Sequence, residues 1–366
     1  MAFSHIIGND PIKKYLERMV HKQTVAQSLL FAGPDGIGKS LFAKELARLL
    51  LCVNDKEGKH AHKCAVGMHP DLHIYQPEGK LGMHSMESML QLCEDVYLPP
   101  FEGERKVFII HDADRMLTPS ANALLKTFEE PASHSVIILL SSSPQALLPT
   151  IRSRCCKIYF QALFEEEMVP FVATKWNKSS EEASQIVQRT KGSMGRVQQY
   201  LEQGENALQG QMLSLLSKGR LSTYQELTEA AGALSTHIEE MQKQREEVAR
   251  EEIARGYPEG PTSMQQQAID KEIDGALAMH LMQESNIIFD TILSWYRDLH
   301  LIEVKGDMAY LMHRHAQADL ERALLQGYNL PLEVVQEVVD QAKLGLARST
   351  PIANCLERLF LQLNFL

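Results

Sequence analysis

The chain has 366 residues and a formal net charge of −10. That length exceeds one ordinary core, so two or three domains are expected. The acidic balance excludes a strong stand-alone grip on nucleic acid, because such affinity scales with Lys and Arg contacts to phosphate.

Met1 to Asp10 carries neither a basic n-region nor a long apolar run, and nothing approaches the roughly eighteen apolar residues of a membrane span. Six scattered cysteines form no disulfide-like framework, as in a reducing compartment. The expectation is a cytoplasmic chain with no membrane contact. Ile12, Tyr15, Leu16 and Met19 recur at helical spacing over Pro11 to Val20. Ser28 to Ala32 reads as a buried strand and Leu41 to Leu51 as a helix. Asn54 to His69 reads as a polar loop. Then come a strand at Leu72 to Tyr75, a helix at Met86 to Leu98 and a strand at Lys106 to Asp112. A helix begins with Thr118 as N-cap and Pro119 at its first position, and runs to Glu130. Val136 to Ser141 is a fourth strand, and Ile151 to Phe160 closes the region. Strands alternating with helices predict a parallel, doubly wound sheet.

After Phe164 the pattern is helical. Glu165 to Trp176, Ser180 to Thr190 and Gly195 to Gln203 make a small helical lid. The charged segment from 213 to 280 carries a short heptad stripe (Leu234, Ile238, Met241, Val248) broken at Gly256 to Pro261, which predicts a solvated helical hairpin. Ile287 to Ile302, Met312 to Leu325, Leu332 to Leu344 and Pro351 to Leu363 are amphipathic. The expected domains are therefore 1–162 (α/β, nucleotide-binding), 163–208 (lid) and 209–366 (all-helical, with an insertion around 213–280).

Between the first strand and its helix lies Gly33-Pro34-Asp35-Gly36-Ile37-Gly38-Lys39-Ser40, the spacing of a phosphate-binding loop. Backbone N–H groups of such a loop, with the helix N-terminus, cradle an oxyanion. Lys39 then neutralises β/γ oxygens and the Ser40 hydroxyl ligates magnesium. Asp112, at a strand tip, is placed to hold that magnesium through water. Hydrolysing members of the group usually carry Glu next, and here the residue is Ala113. The expectation is ATP binding with weak or no intrinsic hydrolysis, with the Asp114 side chain pointing elsewhere.

Asn122 to Pro131 and Leu147 to Cys155, with its Ser153-Arg154-Cys155 run, resemble the AAA+ module of bacterial clamp-loader subunits. Asp112-Ala113-Asp114 is similar to the delta-prime type, whereas the gamma/tau motors have Asp-Glu. The resemblance is strong over 1–205 and weaker over 285–366, where Ile292 to Leu299 and Asn354 to Leu363 look like the collar. It implies an α/β P-loop AAA+ module, a helical lid and an all-α collar. It also implies a place beside gamma/tau and delta in a heteropentamer that loads a sliding clamp onto primed DNA. Position by position, Ile7 and Gly8 would pack on adenine and Ser141 would be the first sensor. Arg196 would be the second sensor, and Arg154 would be an arginine finger for the neighbouring subunit. The alternative is a gamma/tau-like motor that hydrolyses ATP in cis. The family's zinc site would fall on Cys52, His60, His62 and Cys64. Its paired Cys-x-x-Cys is absent here, so a metal-free loop is expected and Zn²⁺ is the alternative.

Overall fold

In the computed structural model, which describes residues 3–53, 59–65, 67–190, 192–203, 207–256, 261–327 and 330–365, the apolar runs assemble into one five-stranded sheet. Helix α1 (Asp10–His21) leads into β1 (Ser28–Ala32). Next come α2 (Lys39–Leu51), α3 (Lys59–Ala65), β2 (Leu72–Tyr75), α4 (Met86–Tyr97) and β3 (Lys106–Ile110). Then follow α5 (Thr118–Ala123), α6 (Leu125–Glu129), β4 (Ser135–Ser141), α7 (Pro149–Arg154) and β5 (Cys156–Tyr159). All pairings are parallel and the spatial order is β2-β3-β4-β1-β5.

Strands β1, β3 and β4 are buried at every position, as a parallel sheet covered on both faces requires. Alternation sorts their side chains into two layers. Leu29, Phe31, Val107 and Ile109 pack with Phe42 and Leu46 of α2, while Leu30, Phe108 and Ile110 pack with Met89 and Leu92 of α4. Phe42 lies 5.0 Å from Phe160 and 5.5 Å from Phe3, ring to ring. Truncating it to Ala would cost about 3–5 kcal/mol.

Three local expectations are corrected. The supposed loop at 54–69 contains α3, although 54–58 and 66 lie outside the described residues. Strand β3 stops at Ile110, and Asp112 has a left-handed backbone with φ 46°. Thr118 is the first helical residue rather than the cap, which is Leu117, and the segment to Glu130 splits into α5 and α6 at Leu124.

Helices α8 (Glu165–Trp176), α9 (Ser180–Thr190) and α10 (Met194–Gln203) follow. They enclose an apolar cluster of their own, including Leu163, Met168, Val172, Ile186 and Val197. Glu165 ties α8 to α9 by accepting from Ser184 and Gln188.

The rest is helical: α11 (Ala207–Lys218), α12 (Tyr224–Gly256), α13 (Ser263–Glu303), α14 (Gln317–Leu325), α15 (Leu332–Ala347) and α16 (Ile352–Gln362). The expected hairpin arm and the helix expected at 287–302 are one continuous α13, opened by a Thr262/Gln265 capping box. The hairpin turn falls largely on residues 257–260, outside the described residues. Leu234 and Ile238 are buried, but Val248 is 56% exposed, so the apolar seam ends before it. Trp295, Tyr296 and Leu299 of α13 form the core with Val335 of α15 and Leu356 and Phe360 of α16. Buried Asp298 accepts from the N–H groups of Met312 and His313 at 2.9 and 2.8 Å, satisfying the turn before α14.

The chain forms two compact units, Met1–Glu78 with Met83–Glu202 and Gly79–Gly82 with Gln203–Leu366. Among the described residues no helix is long and apolar enough to cross a membrane.

Candidate nucleotide site and arginine helix

The loop from Gly33 to Gly38 joins the carboxyl end of β1 to the first turn of α2. Gly33, Gly36 and Gly38 have φ of 154°, 74° and 97°, a backbone that side chains resist. A Cβ on Gly33 would also strike the Phe160 carbonyl, and one on Gly36 the Ser193 hydroxyl. Gly38 is the N-cap of α2, and no side chain caps that first turn. Lys39 is only 9% exposed. Its Nζ donates to the carbonyls of Gly33 and Pro34 and lies 3.5 Å from the Asp35 carboxylate. Burial holds its pKa below the usual lysine value, against the pull of Asp35.

Parallel pairing brings the strand ends to this loop. The N–H of Gly33 donates to the Ser141 carbonyl at 3.2 Å. Beyond β3, Asp112 starts a 3-10 turn over Ala113–Arg115. Ala113 is fully buried. Asp114 does not point elsewhere: its Oδ1 accepts from the Ser141 hydroxyl at 2.5 Å. Burial, together with the charges of Asp35 and Asp114, pushes the Asp112 carboxyl up to about 6. A divalent cation would reverse that penalty. Glycines that leave a cradle, an uncapped helix start, a buried lysine and this carboxyl suit a magnesium-bound triphosphate. Ser40 and Asp112 would be the groups that hold the metal.

Of the other expected nucleotide residues, Ile7 and Gly8 pack on the helices that follow β5, and Arg196 lies at the start of α10. Ile7 packs on the apolar cluster of α8–α10, and a Cβ on Gly8 would meet Leu163. Arg196 is exposed in the first turn of α10. The start of that helix touches the loop directly, since Gly195 N–H donates to the Gly36 carbonyl at 2.9 Å and the Ser193 hydroxyl to the Asp35 carbonyl at 3.3 Å.

Arg154 ends α7, with 35% of its side chain exposed. Its guanidinium donates to Glu129 at 2.6 Å and to the Thr150 carbonyl at 2.9 Å. The ion pair joins the two stretches, 122–131 and 147–155, that carry the resemblance.

The four residues of the alternative zinc site, Cys52, His60, His62 and Cys64, are not gathered among the described residues. Cys64 lies in the apolar cluster of α2, Cys52 packs against that cluster and His62 is exposed. Among the described residues, the ligand atoms that converge are those of His60, His69 and Glu102. The His69 Nδ1 accepts from the Asp71 N–H at 3.1 Å, and its Nε2 lies 2.8 Å from His60 Nδ1. In a neutral ring that acceptor role puts the proton on Nε2, facing His60. Asp71 accepts in turn from the N–H groups of Phe101, Glu102 and Gly103. The cluster secures the loop before β3 by hydrogen bonds.

Sequence reasoning misdirected Asp114 and gave no role to Glu129. The 3-10 turn that redirects Asp114 has no periodic signature. Glu129 was inside a quoted motif, and only its distance to Arg154 marks it.

Residues 8–164 match the model of the family described as DNA polymerase III, delta subunit. The matched segment, which holds the phosphate loop and Arg154, is less than half of the chain. The DNA polymerase III subunit delta' of Bacillus subtilis is 34% identical over 157 residues, 42% of this chain and 47% of that one. The delta' subunit of Pseudomonas aeruginosa is 37% identical over 136 residues, 36% of this chain and 42% of that one. The gamma/tau subunit of Mycoplasma pneumoniae is 26% identical over 223 residues, 58% of this chain and 32% of that one. The chain thus spans less than half the length of these curated relatives.

Proposed function

We propose that this chain is a delta-prime-type subunit of a bacterial clamp loader. It would work in the cytoplasm with gamma/tau and delta partners in a heteropentamer that places a sliding clamp on primed DNA. In this reading Gly33 to Ser40 bind ATP. Lys39 moves from loop carbonyls to phosphate oxygens, which keeps it hydrogen-bonded throughout. Ser40 and Asp112 would hold magnesium, which when bound would supply charge neutralisation for the phosphates. Arg154 leaves Glu129 for the nucleotide of the adjacent subunit, where a guanidinium fork suits phosphoryl oxygens.

One observation carries the reading: a phosphate loop complete in every element faces a strand end where the residue after Asp112 is a buried alanine. Binding is supported there and in-line activation of water is not. The turn of Asp114 toward Ser141 favours a second reading, a gamma/tau-like motor acting in cis. Turnover of the reconstituted assembly separates them. Arg154→Ala should abolish most turnover under the first reading, and Lys39→Ala under the second.

A further inference from the structure

Ser141 has a single hydroxyl proton and is fully buried. That proton is committed to Asp114 at 2.5 Å, and the oxygen also accepts from the Ser143 N–H at 3.1 Å. The Ser141 carbonyl is meanwhile held by Gly33 at the root of the phosphate loop, which fixes the residue beside the nucleotide site. A terminal phosphate needs donors. At this strand end it would meet a hydroxyl whose only proton is already given to a carboxylate.

We infer that Asp114 is a positioning residue that keeps the Ser141 proton from the third phosphate, so that this site separates ATP from ADP only weakly. The inference rests on the nucleotide-binding reading above and specifies what that site recognises. A nucleoside diphosphate presents its phosphates to the loop and Lys39 and makes no demand on Ser141. A triphosphate must either do without that donor or displace a charge-assisted hydrogen bond. Asp114 also adds a negative charge felt at both Lys39 and Asp112, which acts in the same direction.

The test is equilibrium titration of the full chain with magnesium and either ADP or a non-hydrolysable ATP analogue. The variants are Asp114→Asn and the same change in a Ser141→Ala background. Selectivity for the triphosphate over the diphosphate is the readout, because a merely structural role for Asp114 would lower both affinities together. The wild-type chain should favour the analogue by no more than about threefold. Asp114→Asn, which replaces the charged acceptor with a weaker neutral amide oxygen, should raise that preference by about tenfold, the difference between a charge-assisted and a neutral hydrogen bond. In the Ser141→Ala background the rise should shrink below about twofold. Should Asp114→Asn fail to fold, Asp114→Ala carries the same expectation. An unchanged preference in the variant, or an equal rise without Ser141, overturns the inference. A wild-type chain that binds neither nucleotide overturns the nucleotide-binding reading, and this inference with it.

Discussion

The phosphate loop and the helix bearing Arg154 both present a cation, and they hold it on different terms. Lys39 is 9% exposed and rests on two backbone carbonyls that cannot move without unmaking the loop. The Arg154 side chain is 35% exposed and rests on one carboxylate, itself half exposed, and one carbonyl. A buried cation on fixed acceptors is pre-organised for a ligand that comes to it. An exposed cation on a surface ion pair, where such pairs are worth about 0.2–1 kcal/mol, can be handed to another acceptor at little cost. The contrast teaches that a buried, doubly held cation and an exposed, singly paired one suit different tasks, as the proposed function requires of Lys39 and Arg154.

The largest expected effect lies at the receiving end. Lys39→Ala should weaken ATP binding by roughly a hundredfold or more, since the charged donor proposed for the phosphate oxygens is lost. Isothermal titration would show it, and near-normal affinity would mean that the loop does not grip phosphate. Next is Gly36→Ala, which sets a Cβ at φ 74° against the Ser193 hydroxyl. It should destabilise the fold by about 1–3 kcal/mol, read from denaturant melts. Unaltered stability would show the loop to be less fixed than the contrast requires.

Asp112 gives a smaller effect with a definite pH signature. Its carboxyl is raised from the usual 3.8 to about 6 in the fold. A raised carboxyl weakens the fold where it is ionised, so the penalty is full above about pH 6 and fades as pH falls toward 4. Asp112→Asn should therefore stabilise the chain by roughly 1–2 kcal/mol at pH 8 and by little at pH 4. Equal gains at both pH values would remove buried charge as the cause. Smallest is Glu129→Gln, which loosens Arg154 by removing one exposed pair. It should change turnover of the assembly by about two- to fivefold and leave ATP binding by the isolated chain unmoved. A loss approaching that of Arg154→Ala would make Glu129 part of the donating machinery rather than a resting partner.

How much was legible in the sequence follows the same division. The buried strands could be read because β1, β3 and β4 lie under helices on both faces and tolerate only apolar residues. Three glycines, Lys39 and Ser40 could be read because their chemistry demands that spacing. What depended on a side chain turning through space could not. The left-handed Asp112 and the turn after it send Asp114 to Ser141, and no periodicity encodes that. Helix α3 was hidden because a partly exposed helix rich in Lys and His has the composition of a loop. Helix α13 was cut short in the reading because its polar first half and apolar second half look like two elements, although the backbone runs through both.

The central claim is that this chain holds one nucleotide and activates another. The most direct test compares Arg154→Ala with the wild-type chain, each reconstituted with the gamma/tau and delta subunits of the proposed assembly and shown to assemble equally. Under the proposed function, ATP turnover of the assembly falls by about a hundredfold or more, in line with the roughly 10³- to 10⁵-fold worth of such fingers in other systems. The isolated variant should still bind ATP with unchanged affinity. Turnover that survives Arg154→Ala, and is lost instead with Lys39→Ala, would contradict that function.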